Sequence, residues 1–176
     1  RSGGHDLVAE FRRPLEAGPV LQHAVTLAPR SPAAHLALGR LDAEEGQSAQ
    51  AALEYISSLK LRPNWLPALL GLGEATRALD MPGDALAAYA QATHVAPRSA
   101  AAWIGLGRVT LPRDGMTQRA CDAFQKAAEL APQDTDFFDD YADALRRDGQ
   151  WKEAEAILRR RIQAAPDDSP AHYLLG

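Results

Sequence analysis

The sequence is poor in cysteine, in basic runs and in long apolar stretches. Its single cysteine, Cys121, permits no intramolecular disulfide and excludes a cysteine-rich zinc module. No apolar stretch is long enough to span a bilayer, and nothing at the N-terminus resembles a secretion signal. With 19 lysines and arginines against 23 acidic residues, the formal net charge is -4, which argues against nucleic-acid binding. We expect a soluble protein, and the residues fit the cytoplasm and the periplasm equally well.

Patterns typical of β-strands are also absent. Valine and isoleucine are scattered, and no alternating run of β-branched residues stands between hairpin turns. Alanine, the strongest helix former, supplies 35 of the 176 residues. The sequence therefore predicts an all-α fold.

Internal repetition sets the predicted architecture. Prolines that follow helical stretches recur at steps of 34, 34, 35 and 34 residues, at Pro29, Pro63, Pro97, Pro132 and Pro166. The same period aligns Leu70–Thr76 with Ile104–Thr110. It also brings bulky residues of the second helices into one column, which contains Tyr55, Tyr89, Phe124 and Leu158. Regular spacing of this kind is typical of a repeat array.

Two columns of small residues predict where the helices of each pair approach closely. Glycine allows the nearest approach of two backbones, and alanine is the next smallest residue. The first-helix column contains Gly39, Gly73, Gly107, Ala142 and Gly176, and the second-helix column contains Ala51, Ala85, Ala120 and Ala154. Between neighbouring pairs we predict a bulky column of Leu69, Trp103 and Phe138.

Capping residues and turn glycines predict the helix boundaries. They are Ser31, Ser99, Asp134 or Thr135, Gly46 and Gly149. The predicted helices are 32–45, 48–61, 66–79, 83–96, 100–111, 116–131, 135–148 and 151–164. A shorter pair is predicted near 6–13 and 15–28, with an interruption at Gly18 and Pro19. A further first helix begins at Pro170.

These residues resemble the tetratricopeptide repeat family, whose signature runs from a bulky residue through Leu-Gly to Ala, an aromatic residue, Ala and Pro. The resemblance covers about residues 14–176 and implies a right-handed superhelical solenoid of antiparallel helix pairs. Its segments are a partial repeat at 1–31, complete repeats at 32–65, 66–99, 100–134 and 135–168, and the start of another at 169–176. The repeat at 100–134 contains a one-residue insertion near Leu111–Gly115.

The chain departs from the family pattern in two columns. Asp42, Thr76, Thr110 and Leu145 stand where the family favours a large aromatic residue, and His35 replaces the expected tryptophan. These departures leave the packing of the first complete repeat the least well defined by the sequence.

In arrays of this family the first helices line a concave groove, and the resemblance implies which side chains face it. The first three complete repeats would offer an apolar shelf bordered by arginines, whereas the fourth would be acidic. The predicted groove residues are Leu36, Arg40, Leu70, Glu74, Arg77, Ile104, Arg108, Asp136, Asp139, Asp143, Arg146 and Tyr173.

We predict a non-catalytic scaffold that binds a peptide or another protein segment in this groove. The charge pattern suggests a partner with apolar side chains, an acidic end near Arg40 and Arg108, and a basic end near Asp136 and Asp143. The opposing interpretation is that these charges are only the solvated face of the helices.

Two alternatives remain open at this point. The chain could be the partner-binding arm of a larger enzyme of the glycosyltransferase, sulfotransferase or hydroxylase type, with its catalytic domain outside this sequence. It could also self-associate through its uncapped C-terminal end, where Leu174 and Leu175 would be exposed.

Other motifs predict structure rather than chemistry. No two of the five histidines pair at helical spacing, so no metal or cofactor site is predicted. Cys121 is predicted to be a buried, inert thiol and Trp65 a wedge between repeats. We interpret Asp134–Asp136 as the start of a helix and Arg159–Arg161 as a short basic run on an outer helix.

Overall fold

The protein is all-α, as predicted. The computed structural model describes residues 6–164, with side chains from residue 17 onwards. Within these residues the chain forms nine helices and no strand: α1 (Asp6–Leu27), α2 (Pro32–Glu44), α3 (Ser48–Leu61), α4 (Leu66–Ala78), α5 (Pro82–Val95), α6 (Ala100–Thr110), α7 (Thr117–Leu130), α8 (Phe138–Arg147) and α9 (Trp151–Ala164). From α2 to α9 the predicted bounds are correct to within one residue, except at the start of α8.

The helices group into two compact units, Arg1–Met81 and Pro82–Gly176. In the first unit α1 packs on α2, α2 on α3, and α3 on α4. In the second unit α5 packs on α6, α6 on α7, α7 on α8, and α8 on α9. Within each unit, every helix thus contacts its neighbours in sequence, as expected of stacked repeats. Across residues 6–164, no helix has the length and apolarity needed to cross a bilayer.

The prediction of two short helices near 6–13 and 15–28 is wrong. Instead, α1 is one continuous helix that runs through Gly18 and Pro19. Proline removes one backbone hydrogen bond, but its φ angle is compatible with a helix. A Cβ atom on Gly18 would lie 3.7 Å from Cδ2 of Leu41, so α1 packs closely on α2 at this point. This packing outweighs the local signal for a break.

The predicted caps and turns are confirmed at most helix ends. The hydroxyl oxygens of Ser31 and Ser99 accept backbone N–H groups three residues further on, at 3.2 and 3.3 Å. Each satisfies a donor that the first helical turn leaves unpaired. Gly46 and Gly149 follow first helices with φ angles of 76° and 79°, and Gly115 has a φ of 72° in the turn with the insertion. Glycine adopts these left-handed conformations without steric cost.

The start of α8 differs from the predicted helix at residue 135. The side chain of Asp134 accepts the backbone N–H of Asp136 at 3.2 Å, and this turn precedes the helix. Phe137 and Phe138 are both fully buried, whereas successive residues of a helix point about 100° apart. The turn allows their rings to pack edge to face with centroids 5.2 Å apart. Asp136 therefore lies ahead of α8, which corrects its predicted place on a groove helix.

Small residues lie where close helix contacts were predicted. A Cβ atom on Gly39 would lie 3.0 Å from the ring of Tyr55, and one on Gly107 would lie 2.6 Å from the ring of Phe124. The small residues of the second helices are also buried: Ala51, Ala85, Ala120 and Ala154. These contacts confirm the predicted register of the two helix pairs. The last member of the first-helix column, Gly176, lies outside the described residues.

Local hydrogen bonds accommodate threonine in the column that the family fills with a large aromatic residue. Thr76 and Thr110 are buried, and their hydroxyl groups donate to the carbonyls of Leu72 and Leu106 at 2.7 and 2.8 Å. A hydroxyl that donates to the preceding helical turn is satisfied without a tertiary partner. The departure from the family pattern therefore leaves no unpaired hydroxyl in these two helices.

Each unit has its own buried core. The core of the first unit contains Leu36, Ala51, Ala52, Tyr55, Ala68 and Ala75. The core of the second unit is richer in aromatic rings and includes Phe124, Phe137, Phe138 and Tyr141. The helices that carry the candidate site are held in place by these two clusters.

Candidate functional site

First helices lie side by side within each unit. In the first unit α2 contacts α4. In the second unit, Nε of Arg108 on α6 donates to Asp140 on α8 at 2.7 Å, and Arg147 on α8 donates to the carbonyl of Leu111 at 3.3 Å. We define the α2–α4 face as Arg40, Leu70, Glu74 and Arg77, and the α6–α8 face as Ile104, Arg108, Asp139, Asp140, Asp143, Arg146 and Arg147.

The α2–α4 face combines one apolar and three charged side chains. Leu70 is half-buried and Arg40 is exposed. Arg77 pairs with Glu74 at 2.5 Å, whereas none of the described carboxylates forms an ion pair with Arg40. Leu36, also predicted to face the groove, is 7% exposed and belongs to the core of the first unit. Its main role is therefore packing.

On the α6–α8 face, Arg108 is engaged by a residue outside the predicted groove set. The side chains of Arg108 and Asp140 are 43% and 40% exposed, and their ion pair links α6 to α8. Exposed pairs of this kind contribute about 0–1 kcal/mol. Asp140 stands in the repeat column that contains Gly71 and Gly105, and a charged residue in a column of glycines is the signal that could have revealed it.

The other acidic residues of α8 are paired within the second unit as well. The carboxylate of Asp139 lies 3.3 Å from Nε of Arg161 on α9, and that of Asp143 lies 3.0 Å from Nε of Arg147. The Arg161 side chain is only 16% exposed, so its pair is shielded from water. These arginines offset the negative charge that was predicted to receive a basic partner segment.

The remaining groove residues have different surroundings. Ile104 is half-buried and packs on the core of the second unit. Arg146 is exposed, with its guanidinium carbon 5.9 Å from the ring centroid of Trp151. Asp136 is exposed in the turn before α8. Tyr173 lies outside the described residues, as does the C-terminal surface predicted to self-associate.

His35 makes the hydrogen bond expected of the tryptophan that it replaces. Its Nε2 atom lies 3.1 Å from the carbonyl oxygen of Pro29, and at the equivalent position Trp103 donates to the carbonyl of Pro97 at 2.9 Å. Nδ1 of His35 lies 2.7 Å from a carboxylate oxygen of Glu54. Burial lowers the pKa of His35, but the two hydrogen bonds and the charge of Glu54 together raise that pKa above its ordinary value of 6.5.

Cys121 is buried, as predicted. Only 4% of its surface is exposed. Burial, with smaller effects from the charges of Asp148 and Asp122, raises the pKa of the thiol to about 11. Because the thiolate is the nucleophile, this thiol is almost inert near neutral pH.

We expect Cys121 to react with a colorimetric disulfide reagent about a hundredfold more slowly in the native chain than in urea. A pKa of about 11 leaves roughly one thiolate in a thousand at about pH 8, whereas an unperturbed cysteine is substantially ionised there. The rate at which the reagent releases its coloured thiolate measures the reaction in both conditions. Equal rates would show that the thiol is accessible in the native chain.

The basic run on α9 contributes to packing. Arg159 pairs with Glu155 at 2.5 Å, and the guanidinium carbon of Arg160 lies 5.1 Å from the ring centroid of Phe138. Arg161 donates to a backbone carbonyl in the turn before α8 at 2.9 Å. The three arginines therefore have separate partners within the second unit.

Trp65 packs as the structural interpretation predicted. It is half-buried against the core of the first unit. Its ring centroid lies 4.8 Å from the guanidinium carbon of Arg62, a distance typical of a cation–π contact. These contacts favour a packing role over a ligand platform.

Two models of the tetratricopeptide repeat family match overlapping segments of the chain, residues 70–135 and 113–176. The chain belongs to the tetratricopeptide repeat family. Together the two segments cover more than half of its residues, and the first contains both copies of the aligned glycine-rich segment in α4 and α6. The resemblance seen in the sequence is therefore confirmed.

Solved structures with a similar fold include two other tetratricopeptide repeat (TPR) proteins and MamA. YrrB, a TPR protein with an unusual peptide-binding site, aligns with a TM-score of 0.78 at 18% identity, over 96% of this chain and 87% of YrrB. TTC0263, a thermophilic TPR protein from Thermus thermophilus, aligns with a TM-score of 0.71 at 21% identity, over 96% and 92%. MamA from Desulfovibrio magneticus RS-1 aligns with a TM-score of 0.79 at 23% identity, over 90% of each chain. None of the curated proteins compared with the chain matches it in sequence.

Proposed function

We propose that this TPR chain is a non-catalytic scaffold that binds polypeptide segments on the α2–α4 face and the α6–α8 face. One observation carries the proposal. Leu70 and Ile104 occupy the same position in successive first helices, and both are half-buried, on faces that also carry charged residues. Apolar side chains left partly in water provide surface that a bound peptide can bury. YrrB, which has a similar fold, has a peptide-binding site.

We assign one first helix to each complete repeat. The proposed repeats are 32–65, 66–99, 100–134 and 135–168, so that α2, α4, α6 and α8 are the first helices. In this division the two faces are built from equivalent positions of successive repeats. A partner segment that presents one apolar residue among polar or charged ones would suit either face.

The charges proposed to orient the partner are Arg40 and Asp136. Both are exposed, and among the described residues neither forms an ion pair. Arg108, Asp139 and Asp143 have a smaller role in this proposal because each is already paired within the second unit. We expect acidic partner residues near Arg40 and basic partner residues near Asp136. Charge complementarity of this kind acts mainly on orientation and association rate.

The test uses peptides selected from a displayed random library against the full chain. We expect their affinity to fall at least about tenfold in Leu70→Glu or Ile104→Glu, because each change replaces an apolar contact by a charge that binding must desolvate. Fluorescence anisotropy measures the affinity, and circular dichroism confirms that each variant is folded. In the same assay, Arg40→Glu is expected to slow association with acidic peptides.

The matched control is Leu53→Glu. Leu53 is 64% exposed on α3, outside both faces, and its replacement is expected to leave peptide affinity unchanged. Equal binding by the wild-type chain and the variants at Leu70 and Ile104 would rule out these faces. Loss of binding in the Leu53 variant alone would place the binding surface on α3 instead.

A further inference from the structure

His35 joins three parts of the first unit. It lies on α2 and is 9% exposed. One ring nitrogen contacts the loop after α1 through the carbonyl of Pro29, and the other contacts α3 through the carboxylate of Glu54. The two distances, 3.1 and 2.7 Å, are those of hydrogen bonds. The ring of His35 therefore connects α2 to both neighbouring elements.

The two hydrogen-bond partners of His35 determine how many protons its ring must carry. A carbonyl oxygen only accepts hydrogen bonds, and so does an ionised carboxylate. Both bonds form together only when each ring nitrogen of His35 carries a proton. A neutral imidazole has one N–H, and the stronger, charge-assisted bond to Glu54 retains it. The lone pair of Nε2 then faces the carbonyl oxygen of Pro29, and that bond is lost.

The equivalent position of the third complete repeat has no such requirement. There Trp103 donates its indole N–H to the carbonyl of Pro97 at 2.9 Å. The indole N–H is a donor that does not titrate in the physiological range. At His35, therefore, Nε2 donates a hydrogen bond only when the ring is protonated. The indole N–H of Trp103, in another repeat, is always a donor.

We propose that His35 is a pH-operated clasp, which fastens the loop after α1 onto α2 when it is protonated and releases that loop when it is neutral. The clasp acts on α1 because Pro29 follows the last residue of that helix closely. The bond between His35 and Glu54 holds α2 on α3 in both states.

The direction of the effect follows from the raised pKa of His35. A group with a higher pKa in the folded chain than in the unfolded chain stabilises the fold fully below the unfolded value, which for histidine is 6.5. This stabilisation is lost as the pH rises through the folded value. The clasp is therefore closed in mildly acidic solution and opens as the solution becomes neutral to mildly alkaline.

Among the described residues, Glu54 is the group whose charge raises the pKa of His35. Glu54 also acts on Asp42, whose pKa is raised by burial and by the charges of Glu54 and Glu45. Other carboxylates and basic groups lie on the elements packed against α2, without a hydrogen bond to His35. Among the described side chains they are His23 on α1, Arg30 in the loop, Lys60 on α3, and Glu74 and Arg77 on α4.

Hydrogen exchange of the full chain tests the proposal, from about pH 5.5 to about pH 8.5 and with correction for intrinsic exchange. We expect amide protection in the last turn of α1 and the following loop to fall about fivefold relative to α3, the factor that one ordinary hydrogen bond contributes. The NMR titration of the histidine rings is expected to place the pKa of His35 above 6.5.

Two variants separate the clasp from a general effect of pH. In Glu54→Gln the amide can donate to Nδ1 while neutral His35 donates from Nε2 to Pro29, so both bonds form without a second proton. In His35→Trp the indole N–H takes over the bond to the loop. Protection of the loop is expected to be independent of pH in both. The control, His94→Gln, changes an exposed histidine of the second unit and should retain the wild-type profile.

The clasp is supported if amide protection of the loop falls with rising pH in the wild-type chain but stays constant in both variants. Persistence of the wild-type pH dependence in Glu54→Gln overturns the proposal, and this holds even if His35→Trp does not fold. A pKa of His35 below 6.5 overturns it as well. So does a loss of protection confined to α3.

Discussion

Replacement of Phe124 by alanine is expected to lower the free energy of unfolding by about 3 to 5 kcal/mol. Phe124 has no exposed surface, and its ring centroid lies 6.0 Å from those of Phe137 and Tyr141. The ring also covers the backbone at Gly107. Alanine would leave a cavity among side chains that are themselves buried and cannot collapse into it. Urea unfolding followed by circular dichroism measures the loss.

Trp151→Ala is the matched control for this substitution. It removes an aromatic ring of larger size from the same unit, but Trp151 is 63% exposed. Apart from its contact with Arg146, little packing is lost, and we expect a change below about 1 kcal/mol. If Phe124→Ala is no more destabilising than Trp151→Ala, the aromatic core of the second unit is wrongly assigned.

Gly105→Ala is expected to lower the free energy of unfolding by about 1 to 3 kcal/mol. In an unconstrained helix the same change would stabilise by about 1 kcal/mol, because alanine is the better helix former. At this position the added Cβ atom would lie 2.6 Å from Cζ of Tyr89 and nearer still to Cε1. Tyr89 is 4% exposed, so its ring has no free space to enter. Thermal and urea unfolding measure the effect.

Gly83→Ala, on the neighbouring helix α5, is the control that should not destabilise the protein. A Cβ atom on Gly83 meets nothing within 4 Å, so stability should stay the same or rise by up to about 1 kcal/mol. In a background of Tyr89→Ala, the cost of Gly105→Ala should largely disappear, because the clashing ring is gone. Additive effects of the two substitutions would contradict a direct contact between helices α5 and α6 at these residues.

The two candidate faces show which side-chain surroundings a repeat period predicts and which it does not. It predicted that Leu70 and Ile104 would be equivalent, and both are half-buried. The period also placed Leu36 in that set, but Leu36 is buried in the core of the first unit. Equivalent backbone positions have equal surroundings only when their neighbours are also equivalent. On the N-terminal side α2 packs on α1, whereas α4 packs on α3, the second helix of a proposed complete repeat.

The charge pattern was less predictable than the helix pattern. The sequence indicated that Arg108, Asp139 and Asp143 could meet a partner, yet each forms an ion pair within the second unit. The partner of Arg108, Asp140, lies 32 residues away in sequence. A period tells which positions correspond, but it does not tell which long side chains meet across two helices.

From the sequence alone follow the all-α class, the bounds of α2 to α7 and α9, the turn glycines and the columns of small and aromatic residues. Helix propensity and capping depend on neighbouring residues, and the repeat period can be read directly from the order of residues along the chain. Only the tertiary structure decided that α1 is continuous, that two adjacent phenylalanines delay the start of α8, and that His35 is held by two acceptors. The physical reason is that packing and hydrogen bonding depend on distances between atoms far apart in the chain, and fractions of an ångström decide whether such contacts form.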